Sequence, residues 1–243
     1  LPRLLRYIQR GKHVYLYGAP GGGKSTAAEQ AAEALGREYF YISLNPQSPR
    51  SDLQGLIDAM GTYRTALFRK AVEFGHLILL DEGDNASAAT AVIMNTVLAN
   101  GWGSFPDGMV KVHANFVCVV AGNTSGRGAD PMFPERRLQD SAFLDRFRFI
   151  EWTYDEALEE ALSLARNPKA GAWIEWIRTC RAFVARERIR GLYFTPRASI
   201  YGADDLLHES AADTAEALCF RGCSEDVRKR VLSAHPIPSV SMV

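Results

Sequence analysis

Gly18-Ala19-Pro20-Gly21-Gly22-Gly23-Lys24-Ser25-Thr26 fits the pattern G-x-x-x-x-G-K-[ST], and its surroundings decide the fold. The glycines let successive backbone N–H groups turn inward around a phosphate. Lys24 supplies a point charge for β- and γ-phosphates, and the Ser25 hydroxyl can ligate Mg2+. An apolar run, residues 13–17, precedes the loop, and an alanine-rich stretch, residues 25–35, follows it. Strand, loop and helix in that order aim a helix N terminus at the anion.

Working outward, the strand and helix patterns alternate as far as residue 152. Residues 39–43 read as an aromatic-rich strand. Residues 45–61, with two prolines and two serines, read as loop. Thr62 is placed to cap a helix ending near Phe74, closed by Gly75. Leu77-Ile78-Leu79-Leu80 is the continuous apolar run expected of a strand buried on both faces. Ser87 caps a helix over residues 88–99. A turn, Pro106-Asp107-Gly108, divides a hairpin over residues 102–112. Residues 116–121 form another buried strand, 138–145 a short helix and 147–152 a last strand. This alternation predicts a doubly wound α/β domain over residues 1–152. Residues 153–243 lack strand signals and predict a small all-α domain, with helices over 155–165, 172–187, 197–207, 211–220 and 225–232.

Composition narrows the function classes. Of the 243 residues, Lys+Arg and Asp+Glu number 28 each, so net charge is zero. A general attraction to nucleic acid or to a membrane surface is therefore not indicated. No apolar run approaches the roughly 20 residues that cross a bilayer. Leu1 opens no signal-peptide pattern, and the absence of an initiator Met leads us to expect a trimmed chain. Two basic clusters, Arg3/Arg6/Arg10/Lys12 and Arg181/Arg186/Arg188/Arg190, read as solvated helix faces. Cys118, Cys180, Cys219 and Cys223 have no zinc-site spacing and read as reduced packing residues of a cytoplasmic protein.

Hydrolysis needs more than a phosphate cradle. Asp81 and Glu82 end the run 77–80, and ligands of open parallel sheets gather at the carboxyl ends of strands. Asp81 is thus expected to hold Mg2+ through water, and Glu82 to polarise an attacking water. Asn123 follows the strand 116–121, where its amide can orient that water together with Glu82. An arginine that meets the charge spreading over the γ-phosphoryl oxygens is also required. Arg146, ahead of the last strand, is expected to reach a neighbouring subunit's site in trans. Arg148 is its close rival, and Arg136 and Arg137 are weaker ones. Thr195-Pro196-Arg197 opens a helix, with proline in the first turn, so Arg197 can face the phosphates.

Together these segments resemble the AAA+ ATPases. Residues 18–26 correspond to Walker A, 77–82 to Walker B, Asn123 to sensor 1, Arg146 to the arginine finger and Arg197 to sensor 2. The chain is most similar to the MoxR branch and its relatives, the CbbQ/NorQ-type activators and cobaltochelatase-like ATPases. Ser51-Asp52-Leu53-Gln54-Gly55, Ala121-Gly122-Asn123-Thr124, Phe143-Leu144-Asp145-Arg146-Phe147 and Thr195-Pro196-Arg197-Ala198-Ser199 carry that closer likeness. Gly83-Asp84-Asn85 departs from the branch's usual segment after Walker B. The resemblance implies a P-loop NTPase sheet ordered 5-1-4-3-2, a helical lid, a homo-oligomeric ring, usually hexameric, and ATP with Mg2+. It also implies conformational work on a partner protein, commonly of von Willebrand factor A type. A nucleic-acid motor and a nucleotide-dependent assembly switch with little turnover are the competing functions. Trp102 and Phe105 beside the hairpin turn are expected either to touch the remodelled substrate or to pack against residues 45–61 or a neighbouring subunit.

Overall fold

The computed structural model describes residues 1–129, 133–134 and 136–239, grouped in two compact units. The first holds residues 1–19 and 23–152. The second holds residues from 153 onward together with Pro20–Gly22, the crest of the phosphate loop.

In chain order the first unit contains α1 (Pro2–Gln9), β1 (Val14–Tyr17), α2 (Lys24–Ala34), β2 (Tyr39–Ser43), α3 (Ser51–Gln54), β3 (Leu56–Ile57), β4 (Tyr63–Arg64) and α4 (Leu67–Phe74). There follow β5 (Leu77–Asp81), a single 3-10 turn (Gly83–Asn85), α5 (Ala88–Asn100), β6 (Trp102–Phe105), β7 (Gly108–Lys111), β8 (Val117–Gly122), α6 (Ser141–Leu144) and β9 (Arg148–Glu151). Five strands pair in parallel in the order β2-β5-β8-β1-β9. Counted along the core alone, that is the expected 5-1-4-3-2.

The apolar runs explain this sheet. Leu77 and Leu79 pack on one face with Leu16, Val119, Ala27, Ala28 and Ala31, and Ile78 and Leu80 pack on the other with Phe68, Met94, Val120 and Phe143. Both faces of β5 and β8 are therefore dry, which favours parallel strands covered by helices. The alanines of α2 are small enough to bring that helix close against β5 and β8. Ser87 caps α5 by accepting a hydrogen bond from the Thr90 N–H at 3.2 Å.

Two local expectations are corrected, and one open alternative is decided. Residues 45–61 are not wholly loop, and no helix begins at Thr62: α3 and the antiparallel pair β3–β4 occupy that stretch, and α4 starts at Leu67. Asp58 makes the hairpin, accepting from the Met60 and Thr62 N–H groups at 3.0 Å and from Arg64 Nε at 2.8 Å. The helix expected over 138–145 shrinks to Ser141–Leu144, capped by Asp140. For Phe105 the packing alternative holds: it is 6% exposed, shares a buried cluster with Leu53, and the Arg69 guanidinium lies 5.1 Å from its ring centroid. Trp102 and Met109, 45% and 62% exposed, are the apolar groups the hairpin presents to solvent.

The second unit adds α7 (Glu156–Arg166), α8 (Gly171–Arg186), α9 (Pro196–Asp205), α10 (Ala211–Ala215), a π-helical turn (Glu216–Phe220) and α11 (Glu225–Ala234). Trp173, Trp176, Ile177, Phe194 and Phe220 fill its core. Glu159 is buried there between Arg181 Nη2 at 2.6 Å and the Ser199 hydroxyl at 2.5 Å. Burial alone would raise its carboxyl, but the hydrogen bonds from Arg181 and Ser199 carry it below the usual range. Arg181 is thus an internal partner of Glu159, not part of a solvated basic face. The cysteines are free thiols, and only Cys223 is more than marginally exposed. Among the described residues no helix is long and apolar enough to cross a membrane.

Candidate nucleotide site

The strands that lead to the phosphate loop, to Asp81 and to Asn123 end on the same side of the sheet. β1 feeds the loop, β5 ends at Asp81, and β8 ends just before Asn123. Gly18 is required by close approach: a Cβ there would lie 2.2 Å from the Trp152 carbonyl oxygen. Gly23, at φ 78°, is the N-cap from which α2 starts with Lys24.

Lys24 is only 8% exposed. Its ammonium donates to the carbonyls of Gly18 at 2.6 Å and Ala19 at 3.1 Å, and to Asn123 Oδ1 at 3.3 Å. The Ser25 hydroxyl donates to Asp81 Oδ2 at 2.7 Å, and the Glu82 N–H donates to Asp81 Oδ1 at 3.0 Å. These contacts bring Lys24, Ser25, Asp81 and Asn123 together across β1, β5 and β8, as the spacing predicted. A hydroxyl and a carboxylate in contact form a hard-oxygen pair suited to Mg2+, which takes few protein ligands and completes its shell with water and phosphate. Among the described residues no cluster of three or more His, Cys, Asp or Glu could hold a metal by itself. The donor set therefore fits a metal carried in with a phosphate ligand.

Glu82 stands in the left-handed region at φ 56°, the backbone turn that leads out of β5. Its Oε2 accepts from Arg136 Nη2 at 2.7 Å, and Arg136 Nη1 lies 3.5 Å from Asp84 Oδ1. The Arg136 side chain is 8% exposed and faces carboxylates of its own chain.

Two residues in the site had escaped the sequence reading. Asp84, fully buried, accepts on Oδ2 from the Asn123 N–H at 3.0 Å, the Thr124 N–H at 2.8 Å and the Thr124 hydroxyl at 3.0 Å. It locks the turn after β5 to the turn after β8. A Cβ on Gly122 would sit 3.0 Å from Asp84 Cγ and from Tyr15 Oη, so glycine keeps room for the lock. Burial and the Asp84 charge push the Tyr15 phenol far up. Tyr41 on β2 donates to Asp81 Oδ2 at 3.3 Å, and burial followed by the Asp81 charge raises its phenol. Gly83-Asp84-Asn85 had registered only as an unusual segment, because an acidic residue one turn past a strand carries no periodic signature.

The remaining arginines are exposed. Arg146 follows α6, and its Nε lies 3.4 Å from Asn95 Oδ1 on α5. Arg148 opens β9, where it is paired with Val14. In the second unit Arg197 occupies the first turn of α9. With Thr195 it borders Gly21 of the loop crest: a Cβ on Gly21 would meet Thr195 Cβ at 3.2 Å and Arg197 Cγ at 3.5 Å. Tyr154 Oη donates to the Pro20 carbonyl at 2.8 Å. Burial pushes the Tyr154 phenol up to about 12.

A family profile described as an AAA domain of the dynein-related subfamily matches residues 13–147. Mouse (Mus musculus) von Willebrand factor A domain-containing protein 8 is 26% identical over 145 residues, covering 51% of this chain and 7% of that protein. A candidate ATPase from Cytophaga hutchinsonii superposes with a TM-score of 0.53 at 22% identity, over 68% of this chain and 48% of the other. A variant of RuvB from Thermotoga maritima gives a TM-score of 0.54 at 17% identity, over 96% of this chain and 67% of the other. The two structures match in fold. This chain spans only a small part of the mouse relative and about half of the Cytophaga protein.

Proposed function

The chain belongs to the AAA domain family, in its dynein-related subfamily, and from that premise we propose that it is a Mg2+-dependent ATPase of the MoxR branch. In this reading it works in a homo-oligomeric ring, usually a hexamer, and remodels or activates a partner protein. The observation that carries the reading is the convergence of Lys24, Ser25, Asp81 and Asn123 at the ends of three neighbouring strands.

The loop amides and Lys24 bind the β- and γ-phosphates. The carbonyls and the amide oxygen that Lys24 now touches are replaced by phosphoryl oxygens. Ser25 and Asp81 would hold the metal. When bound, Mg2+ offsets negative charge on the phosphate chain. Glu82 accepts a proton from the attacking water as Asn123 fixes its direction. Arg146 of a neighbouring subunit meets the charge developing on the transferred phosphoryl group, and Arg197 contributes from α9.

The mouse relative's name places a von Willebrand factor A domain in the same protein as its matching segment, which supports a partner of that type here. Exposed Trp102 and Met109 are suited to contact such a substrate.

Glu82→Gln tests the assignment. It should keep ATP binding, slow hydrolysis by roughly 10²-fold or more, the worth of a general base, and trap an ATP-loaded oligomer in size-exclusion chromatography. Hydrolysis at the wild-type rate in that variant removes Glu82 from the role.

A further inference from the structure

We propose that Arg136 is a positioning residue for hydrolysis, acting in its own subunit through Glu82 and Asp84; this rests on Glu82 being the general base. Three observations converge on it. Arg136 reaches Glu82 Oε2 at 2.7 Å, so one carboxylate oxygen is held and the other is left for water. The same guanidinium faces Asp84 Oδ1 at 3.5 Å. Asp84 in turn commits its other oxygen to the Asn123 N–H, the Thr124 N–H and the Thr124 hydroxyl, at 2.8–3.0 Å.

A planar guanidinium suits this task because its donors are fixed in direction and can serve two carboxylates at once. The cluster therefore ties the group that takes the proton to the backbone that carries the water-orienting amide. Asn123 is held besides by the contact of its side-chain oxygen with Lys24. Glu82 sits on a left-handed turn with a side chain 40% exposed, a conformation that needs an external hold to keep one direction. Arg136 supplies that hold from the far side of the turn, and the Phe133 ring, 5.9 Å from its guanidinium carbon, helps to fix it.

The test is a double-mutant cycle read in steady-state ATP hydrolysis, with binding and exchange measured beside it. Arg136→Ala should lower kcat about tenfold or more and leave KM and the affinity for a fluorescent ATP analogue within about twofold. In a Glu82→Gln background the same substitution should cost no further activity, since the two act as one unit. Without nucleotide, hydrogen exchange at the Asn123 and Thr124 amides should quicken in Arg136→Ala, because Asp84 loses its counter-charge. Arg136→Lys guards against an alanine variant that does not fold. It keeps a cation but loses the fork, and should show the same loss of kcat to a smaller degree.

An equal loss in both backgrounds means that Arg136 acts on the phosphate directly and overturns the proposal alone. Unchanged amide exchange, or a rise in KM with kcat kept, also overturns it. Wild-type hydrolysis in the Glu82→Gln single variant refutes the reading of Glu82 itself, and is seen separately from the other arms.

Discussion

Acid should weaken the strand pair that carries the phosphate site, through His13. This residue lies one position before β1, and its Nδ1 accepts a hydrogen bond from the Cys118 N–H at 3.1 Å, tying β1 to β8. Its ring packs against Phe116 and Phe147. An Nδ1 that accepts a backbone N–H has no room for a proton. Burial, with a smaller contribution from Lys12, lowers the His13 imidazole from 6.5 to about 4. Between these values the unfolded chain binds a proton that the fold refuses, so stability rises with pH across the window. The contribution is complete above about pH 6.5 and is lost as pH falls towards 4. A shift of about 2.5 units, at about 1.4 kcal/mol per unit, sets an upper limit of about 3 kcal/mol.

His13→Asn supplies the control, because the asparagine oxygen can take the place of Nδ1 and does not titrate. Urea unfolding followed by fluorescence, at steps from pH 7.5 down to 4, gives the free energy of both proteins. Carboxylates titrate alike in the two and cancel in the difference. The wild type should lose up to about 3 kcal/mol relative to His13→Asn over the window. Parallel stability curves would refute the argument that a neutral, buried His13 holds β1 to β8.

Four further outcomes are expected. Arg146→Ala should lower hydrolysis per subunit by roughly 10³-fold, the worth of an arginine finger, with ATP-analogue affinity kept. In the wild type, activity per subunit should rise with protein concentration; a concentration-independent rate in an assay spanning monomer to oligomer contradicts the trans assignment. Phe105→Ala should cost about 3–5 kcal/mol in urea unfolding, as buried aromatic truncations do. Trp102→Ser should change stability little, and equal effects would contradict their opposite burial.

The sheet was legible because its strands announce themselves. Residues 77–80 and 117–121 are apolar without interruption, and only a strand covered on both sides tolerates that. The phosphate loop was legible because each position has a separate mechanical task. The hairpin β3–β4 was not: strands of two residues contain no period, and the group that closes the turn, Asp58, looks like any loop aspartate. Phe105 left two readings open for a related reason. Its neighbours Pro106-Asp107-Gly108 mark a turn, but the cover comes from Arg69, distant in sequence, which also pairs with Asp107 at 3.0 Å. Asp84 and Arg136 were hidden in the same way, since a buried ion cluster assembled from two turns leaves no spacing to read.

Burial and strand register then divide the arginines that composition could not rank. Arg136 has a largely buried side chain and faces Glu82 and Asp84 of its own chain. Arg146 is exposed and lies just ahead of β9, whose first residue pairs with Val14, the first residue of β1. The phosphate loop leaves the opposite end of β1, four residues on, a span of about 13 Å in a strand. Arg146 therefore stands at the edge of the sheet away from its own Lys24 and Ser25. Arg148 shares that edge, but its charge falls on Tyr7 of α1, whereas Arg146 reaches Asn95 of α5. A site that hydrolyses needs a cation to set its base and another to meet the phosphoryl charge. In the proposed reading Arg136 is the first and Arg146, exposed beside Asn95, is the second, offered to another copy.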